Sequence, residues 1–181
     1  MSYRQPIIEF LAEPENMGFL LDIEPLIPKV KEYKYFKSFE DFQRNYLIPE
    51  IWPKYSYELK DNTFILETEK FKGDDFFKIH VHVGEKDKNN WYGIYGGEIF
   101  NRPNLEFQKL KDILENQGVN KRDKWVPAFQ YFSRNRMELL TLPNEALDDF
   151  LMEWSEIFWN FANNVKSAVE ASNEIILQNM T

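Results

Sequence analysis

Cysteine is absent from all 181 residues. Structural disulfides, thiolate zinc sites and cysteine nucleophiles are therefore excluded. Histidine is reduced to two residues, His80 and His82, so imidazole chemistry has one place to occur. Glycine is sparse, with seven residues. Gly93, Gly96 and Gly97 follow an expected strand, but their spacing is neither a phosphate-binding loop nor a dinucleotide fingerprint, and no lysine follows them. A strand bulge or sharp turn is the expectation there. Ser56, Ser133 and Ser155 lack a nucleophile-elbow context. No apolar run approaches the roughly 18 to 20 residues that span a bilayer. The N-terminal apolar patches, Ile7-Ile8 and Phe10-Leu11, lack the continuous core and cleavage site of a secretory signal, so a cytoplasmic location is expected.

What is present is enough for a core. The chain is 43% hydrophobic, 17% aromatic and 29% charged, too apolar for a disordered chain. Its length suits one domain over residues 1–181. Pro6, Pro14, Pro25 and Pro28 predict an irregular start with short helices across 1–53. Ser38 is placed to cap a helix carrying Phe39, Phe42 and Tyr46, with Glu40 and Asp41 in its first turn and Pro49 and Pro53 as its stop.

Residues 54–100 alternate. The stretches 54–60, 63–70, 76–83 and 91–95 read as four antiparallel strands of a meander, with Asp61-Asn62 as a hairpin turn and residues 85–90 as a polar connection. A helix is expected over 103–118, with Pro103 in its first turn, Phe107, Leu110, Ile113 and Leu114 on its buried face and Gly118 as its C-cap. From Pro143 to about Leu177 one long helix is expected. Its stripe is Leu147, Leu151, Trp154, Phe158, Phe161, Val165 and Val169. The fold class is α+β: a meander of about four strands packed on helices, closed by a long amphipathic C-terminal helix.

The net charge is −8, from 22 bases and 30 acids. It is not evenly spread. Residues 143–181 hold seven acids (Glu145, Asp148, Asp149, Glu153, Glu156, Glu170 and Glu174) against one base, Lys166, which accounts for −6 of it. On a helical wheel these acids fall opposite the apolar stripe. That pattern describes either a solvated face or a surface for a basic partner. Met152 and Trp159 fall on the same side, and an exposed Trp beside acids suits an interface. The candidate partner surface is therefore Glu145, Asp149, Met152, Glu153, Glu156 and Trp159. Residues 109–136 carry the opposite sign, with seven bases against three acids, and include Trp125, Phe129, Tyr131 and Phe132. Bases beside exposed aromatics suit single-stranded nucleic acid, but these aromatics suit a core better, the cluster is short, and the acidic helix opposes such contact unless the two surfaces face apart. A protein with a basic surface is the expected partner.

The alternative class is an enzyme. His80 and His82 lie two apart on an expected strand and share one face. Glu67 and Glu69 have the same spacing on the strand before it. In register, two His and a carboxylate are a ligand set for zinc or non-haem iron. That arrangement would make a metal-dependent hydrolase or nuclease with a divalent cofactor; otherwise no cofactor is expected. Alternation places Ile79, Val81 and Val83 inside and leaves both histidines on the wetter face. A nuclease pattern of an acid followed by acid-x-Lys is matched by Glu50 with Glu58-Leu59-Lys60, and its second half also by Glu32-Tyr33-Lys34. In that fold the first acid lies on an adjacent strand, whereas Glu50 ends an expected helix.

Trp91-Tyr92-Gly93-Ile94-Tyr95, then a helix, then Lys124-Trp125-Val126-Pro127-Ala128-Phe129-Gln130-Tyr131-Phe132 and a long closing helix resembles the C-terminal region of bacterial PD-(D/E)XK nuclease superfamily proteins. The resemblance covers roughly residues 38–175. It rests on the order of elements and their aromatic character. The catalytic acids and lysine of that family belong to an N-terminal part that has no counterpart here, so the resemblance implies an accessory or recognition module and transfers no catalytic residue. The expected function is a non-catalytic interaction module, in one form an inhibitor or immunity-type protein acting with a nuclease or defence system.

Overall fold

Proline placement decides the first helices. In the computed structural model, which describes residues 9–10, 12–60, 63–82, 90–96, 107–119, 128–132, 142 and 144–180, α1 is Pro14–Ile23 and α2 is Ile27–Phe42, joined by a 3-10 turn at Glu24–Leu26. Pro14 and Pro28 both fall in a first turn, where the missing N–H has no intrahelical partner to lose. The prolines therefore start these helices instead of shortening them. α2 runs 16 residues, straight through Ser38, which is an interior residue and not a cap. Regular helix stops at Phe42. The chain then widens into a π-helical turn, Gln43–Leu47, and tightens into a 3-10 turn, Ile48–Glu50. Contacts divide the chain into two compact units, Met1–Lys37 and Ser38–Thr181.

In the second unit, alternation yields the sheet. β1 (Tyr55–Lys60), β2 (Thr63–Thr68), β3 (Lys78–His82), β4 (Trp91–Tyr95) and β5 (Ala128–Tyr131) form one antiparallel sheet in the order β1-β2-β3-β4-β5. It is a meander, as expected, with a fifth strand added from the aromatic stretch after residue 119. β2 ends at Thr68, and Glu69–Phe71 is a 3-10 turn. Asp61, Asn62, Val83, Gly97, Pro103, Trp125, Pro143 and residues 85–89 lie outside the described residues.

One face of the sheet carries Phe64, Leu66, Ile79, Val81 and Ile94, all essentially buried. α4 (Asn144–Met180) lies across that face. Its 37 residues span about 55 Å. The expected stripe is the one that packs: Phe158 meets Phe64 edge-on, Phe161 meets Tyr92, and Trp154 stacks on Phe132 at 4.4 Å between centroids. α3 (Gln108–Asn116) buries Leu110 and Leu114 against α4. Gly118 adopts φ +70° and caps α3, and Val119 N–H then returns to the Leu114 carbonyl at 2.9 Å.

One polar residue on α4 pins the helix to the sheet. Asn173 is buried. Its Oδ1 accepts from the Phe77 N–H at 2.8 Å, and its Nδ2 donates to the Phe77 carbonyl at 2.9 Å. The side-chain amide thus pairs with the backbone as a neighbouring strand would, just before β3 begins. Asn173→Ala would remove both hydrogen bonds from a buried site, at about 1–1.5 kcal/mol each. A loss of about 2–3 kcal/mol is expected in urea unfolding. A loss under about 0.5 kcal/mol would show that water replaces the amide without cost.

Candidate functional site

The outward face of α4 is acidic because its sequence period matches the helix. Glu145, Asp148, Asp149, Glu153 and Glu156 are all exposed, with Met152 among them at 48% exposure. None of the five carboxylates has an ion-pair partner among the described residues. Beyond Glu156 the stripe turns neutral through Asn160, Asn163, Asn164 and Ser167. Glu170 and Glu174 are then engaged by Tyr55 and Lys70. The acidic charge without a partner among the described residues is therefore confined to the first half of the helix.

Trp159 is not part of this surface. It is 8% exposed. Its indole N–H donates to the Tyr46 carbonyl at 3.2 Å, and its ring lies edge-on to Trp52 at 5.2 Å. The Tyr46 carbonyl belongs to the π-helical turn, and the Ser155 hydroxyl donates to it as well, at 3.1 Å. The segment 43–52 covers the flank of α4 where the wheel alone places Trp159 in solvent.

The sheet face opposite α4 holds the predicted metal ligands, in a different arrangement. Register pairs Thr63 with His82, Ile65 with His80 and His80 with Gly93. Glu67, Lys78, His80 and His82 therefore share one face. His80 is not on a wet surface. It is buried, with its ring 4.2 Å from Trp91 and 5.9 Å from Tyr95. Gly93 sits directly opposite and has no side chain, which leaves the imidazole room between these two aromatics. Gly93 is neither a bulge nor a turn: a Cβ there would come within 2.2 Å of the Ala128 carbonyl on β5. Burial, aided by neighbouring His82, pushes the His80 pKa down to about 3. His80 is therefore a neutral group at neutral pH, and its Nε2 has no hydrogen-bond partner among the described residues.

The other ligands are turned elsewhere. His82 Nδ1 lies 2.9 Å from the Thr63 hydroxyl. Glu67 Oε2 lies 3.1 Å from Lys78 Nζ, with side-chain exposures of 12% and 5%. This contact is an ion pair without aligned hydrogen-bond geometry at Oε2. Glu69 is outside β2, exposed, and paired with Lys72 at 2.8 Å. Among the described residues no group of three or more His, Asp or Glu converges on a point that could hold a metal ion. The expected quartet is corrected accordingly: the sheet aligns three of its members, and a lysine occupies the carboxylate. The nuclease pattern also lacks its geometry, because Glu50 lies in a 3-10 turn before β1 and not on an adjacent strand.

No family model, curated protein or solved structure matches this chain. The chemistry available is therefore read from these side chains alone.

A groove of about 620 Å³ lies between the start of β1, the 69–71 turn and the second half of α4. It went unread in the sequence because its lining residues lie more than 90 positions apart. Tyr55 donates to Glu170 at 2.7 Å, and burial with that carboxylate raises the phenol's pKa. Lys166 stands over the Trp52 ring at 4.4 Å and the Tyr55 ring at 5.1 Å. Lys54, at φ +69°, holds a backbone conformation uncommon for a side-chain-bearing residue. The three lysines and three glutamates of the lining balance, so the groove has no net preference for either sign of ligand.

The basic stretch divides. Lys109 and Lys111 lie on α3 and Phe132 is core. Lys121, Arg122, Lys124, Arg134 and Arg136 lie outside the described residues.

Proposed function

We propose that the protein is a non-catalytic interaction module that docks a basic protein surface through the first half of α4. One observation carries this reading: five exposed carboxylates, without ion-pair partners among the described residues, surround an exposed Met152. A solvated face is satisfied by charge alone. A large apolar side chain at its centre gives a contact something to bury, while the surrounding acids steer and align an oppositely charged partner. Enzymes that bind nucleic acid carry basic surfaces of the required sign. Covering such a surface would block phosphate binding, which is how an inhibitor or immunity-type protein would act.

The test uses a set of purified basic nucleases and measures association by biolayer interferometry at low and high salt. Wild-type protein is expected to bind at least one member, with affinity falling as salt rises. The Glu145→Lys/Asp149→Lys/Glu156→Lys variant should lose about tenfold or more, mainly in the association rate at low salt. Met152→Ala should raise the dissociation rate and leave the salt dependence unchanged. If no nuclease distinguishes the triple variant from wild type, the acidic face is only solvated.

A further inference from the structure

The first unit presents a different surface. Among its residues with described side chains none is buried, although the sequence there is rich in large apolar groups. Phe19 and Leu21 are each 60% exposed, Val30 is 64% and Tyr33 is 72%, with Leu26 and Ile27 also open. Phe19 and Leu21 are two apart on α1, about 200° on the wheel, so the apolar groups lie on opposite sides of the helix. A helix apolar on several sides is normally covered.

The charge pattern names the cover. Residues 9–26 hold five acids (Glu9, Glu13, Glu15, Asp22 and Glu24) and no base. Residues 27–37 hold four lysines (Lys29, Lys31, Lys34 and Lys37) against one acid, Glu32. The sign changes at the Glu24–Leu26 turn, between α1 and α2. A twofold axis near that turn brings the acidic half of one copy against the basic half of the other, twice over. This is the self-complementarity that an isologous dimer contact requires.

We propose that residues 9–37 form an antiparallel homodimerisation arm, closed by these apolar side chains and registered by its opposite charged halves. A lipid surface fits the pattern less well. An anionic bilayer would attract the basic half and repel the acidic one, and α1, at about 15 Å, spans half of a hydrocarbon core of about 30 Å. No helix among the described residues is long and apolar enough to cross a membrane.

The test is made on the full chain with two charge-uniform variants. Glu15→Lys/Asp22→Lys/Glu24→Lys leaves both halves of the arm net positive, and Lys29→Glu/Lys31→Glu/Lys34→Glu leaves both halves net negative. By sedimentation equilibrium, the wild type is expected at twice its 21.8 kDa mass. Each variant alone should be monomeric, and an equimolar mixture should form a one-to-one heterodimer with affinity at least about tenfold above either self-association. Recovery in the mixture also shows that each variant has folded. A monomeric wild type at every attainable concentration overturns the proposal, as do variants that still dimerise alone or a mixture that stays monomeric. Co-sedimentation of wild type with phosphatidylserine-containing vesicles, lost in the acidic-arm variant and without dimer in solution, overturns it in favour of lipid.

Discussion

Glu67→Gln is expected to destabilise the fold by about 3–5 kcal/mol, far more than loss of a surface ion pair. Lys78 extends from β3 on the face opposite α4 and is 5% exposed, and its near counter-charge is the Glu67 carboxylate at 3.1 Å. Asp74, at 3.9 Å, is 92% exposed and largely solvated, so it offsets only part of the loss. Taking one carboxylate away leaves an ammonium desolvated without compensation. Replacing both partners removes both desolvation penalties together. The double variant Glu67→Leu/Lys78→Met should therefore recover most of the loss and could exceed wild type. Urea unfolding of the two single variants and the double variant closes the cycle. A Glu67→Gln loss below about 1 kcal/mol, or a double variant no better than the worse single one, would show that water reaches Lys78 and that the pair is a surface contact in energetic terms.

The same pair shows where reading the sequence succeeds and where it stops. Alternation around Tyr55, Tyr57 and Leu59, around Phe64 and Leu66, and around Ile79 and Val81 locates four strands and assigns their faces, because side-chain direction in a strand is a local property. The 3-4 spacing from Leu147 to Val169 does the same for α4. What lies beyond local reach is which residues cover a given face. Alternation puts His80 and His82 on the face away from Ile79 and Val81, and the structure does the same, yet around His80 that face is not wet, because Trp91 and Tyr95 close over the space that Gly93 leaves. Trp159 lies on the acidic side of the wheel, yet the Tyr46 carbonyl, in a π-helical turn more than 100 residues earlier, captures its indole N–H. β5, four residues long, is too short for periodicity to separate from a loop. Ser38 and Glu40 resemble a helix start, but Pro28 had already begun that helix. The acidic cluster from Glu145 to Glu156 was fully legible, since exposure of a charged stripe follows from the stripe itself.

The protein is also expected to lose stability on mild acidification, and His80 is the reason. Its pKa in the folded chain is about 3, against an ordinary value of 6.5. Above pH 6.5 the imidazole is neutral whether folded or unfolded and contributes nothing to the pH dependence. Below it, the unfolded chain takes up a proton that the buried ring refuses, so the unfolded state gains stability as pH falls. The slope is about 1.4 kcal/mol per pH unit, which gives about 2 kcal/mol at pH 5 and about 3 kcal/mol at pH 4, levelling off only near the folded value. Two features of the site oppose protonation of the ring: Trp91 and Tyr95 hold it in an apolar slot, and neighbouring His82 disfavours a second positive charge beside it. Ordinary carboxylates titrate near pH 4, so the interval from pH 6.5 to 5 isolates the histidines. In that interval His80→Gln, which keeps a comparable volume without a titrating ring, should flatten most of the slope in urea midpoints, whereas His82→Gln should change it much less. If His80→Gln retains the wild-type slope, or if the ring of His80 titrates by NMR near pH 6 in the folded protein, then water enters between β3 and β4 and the slot is open.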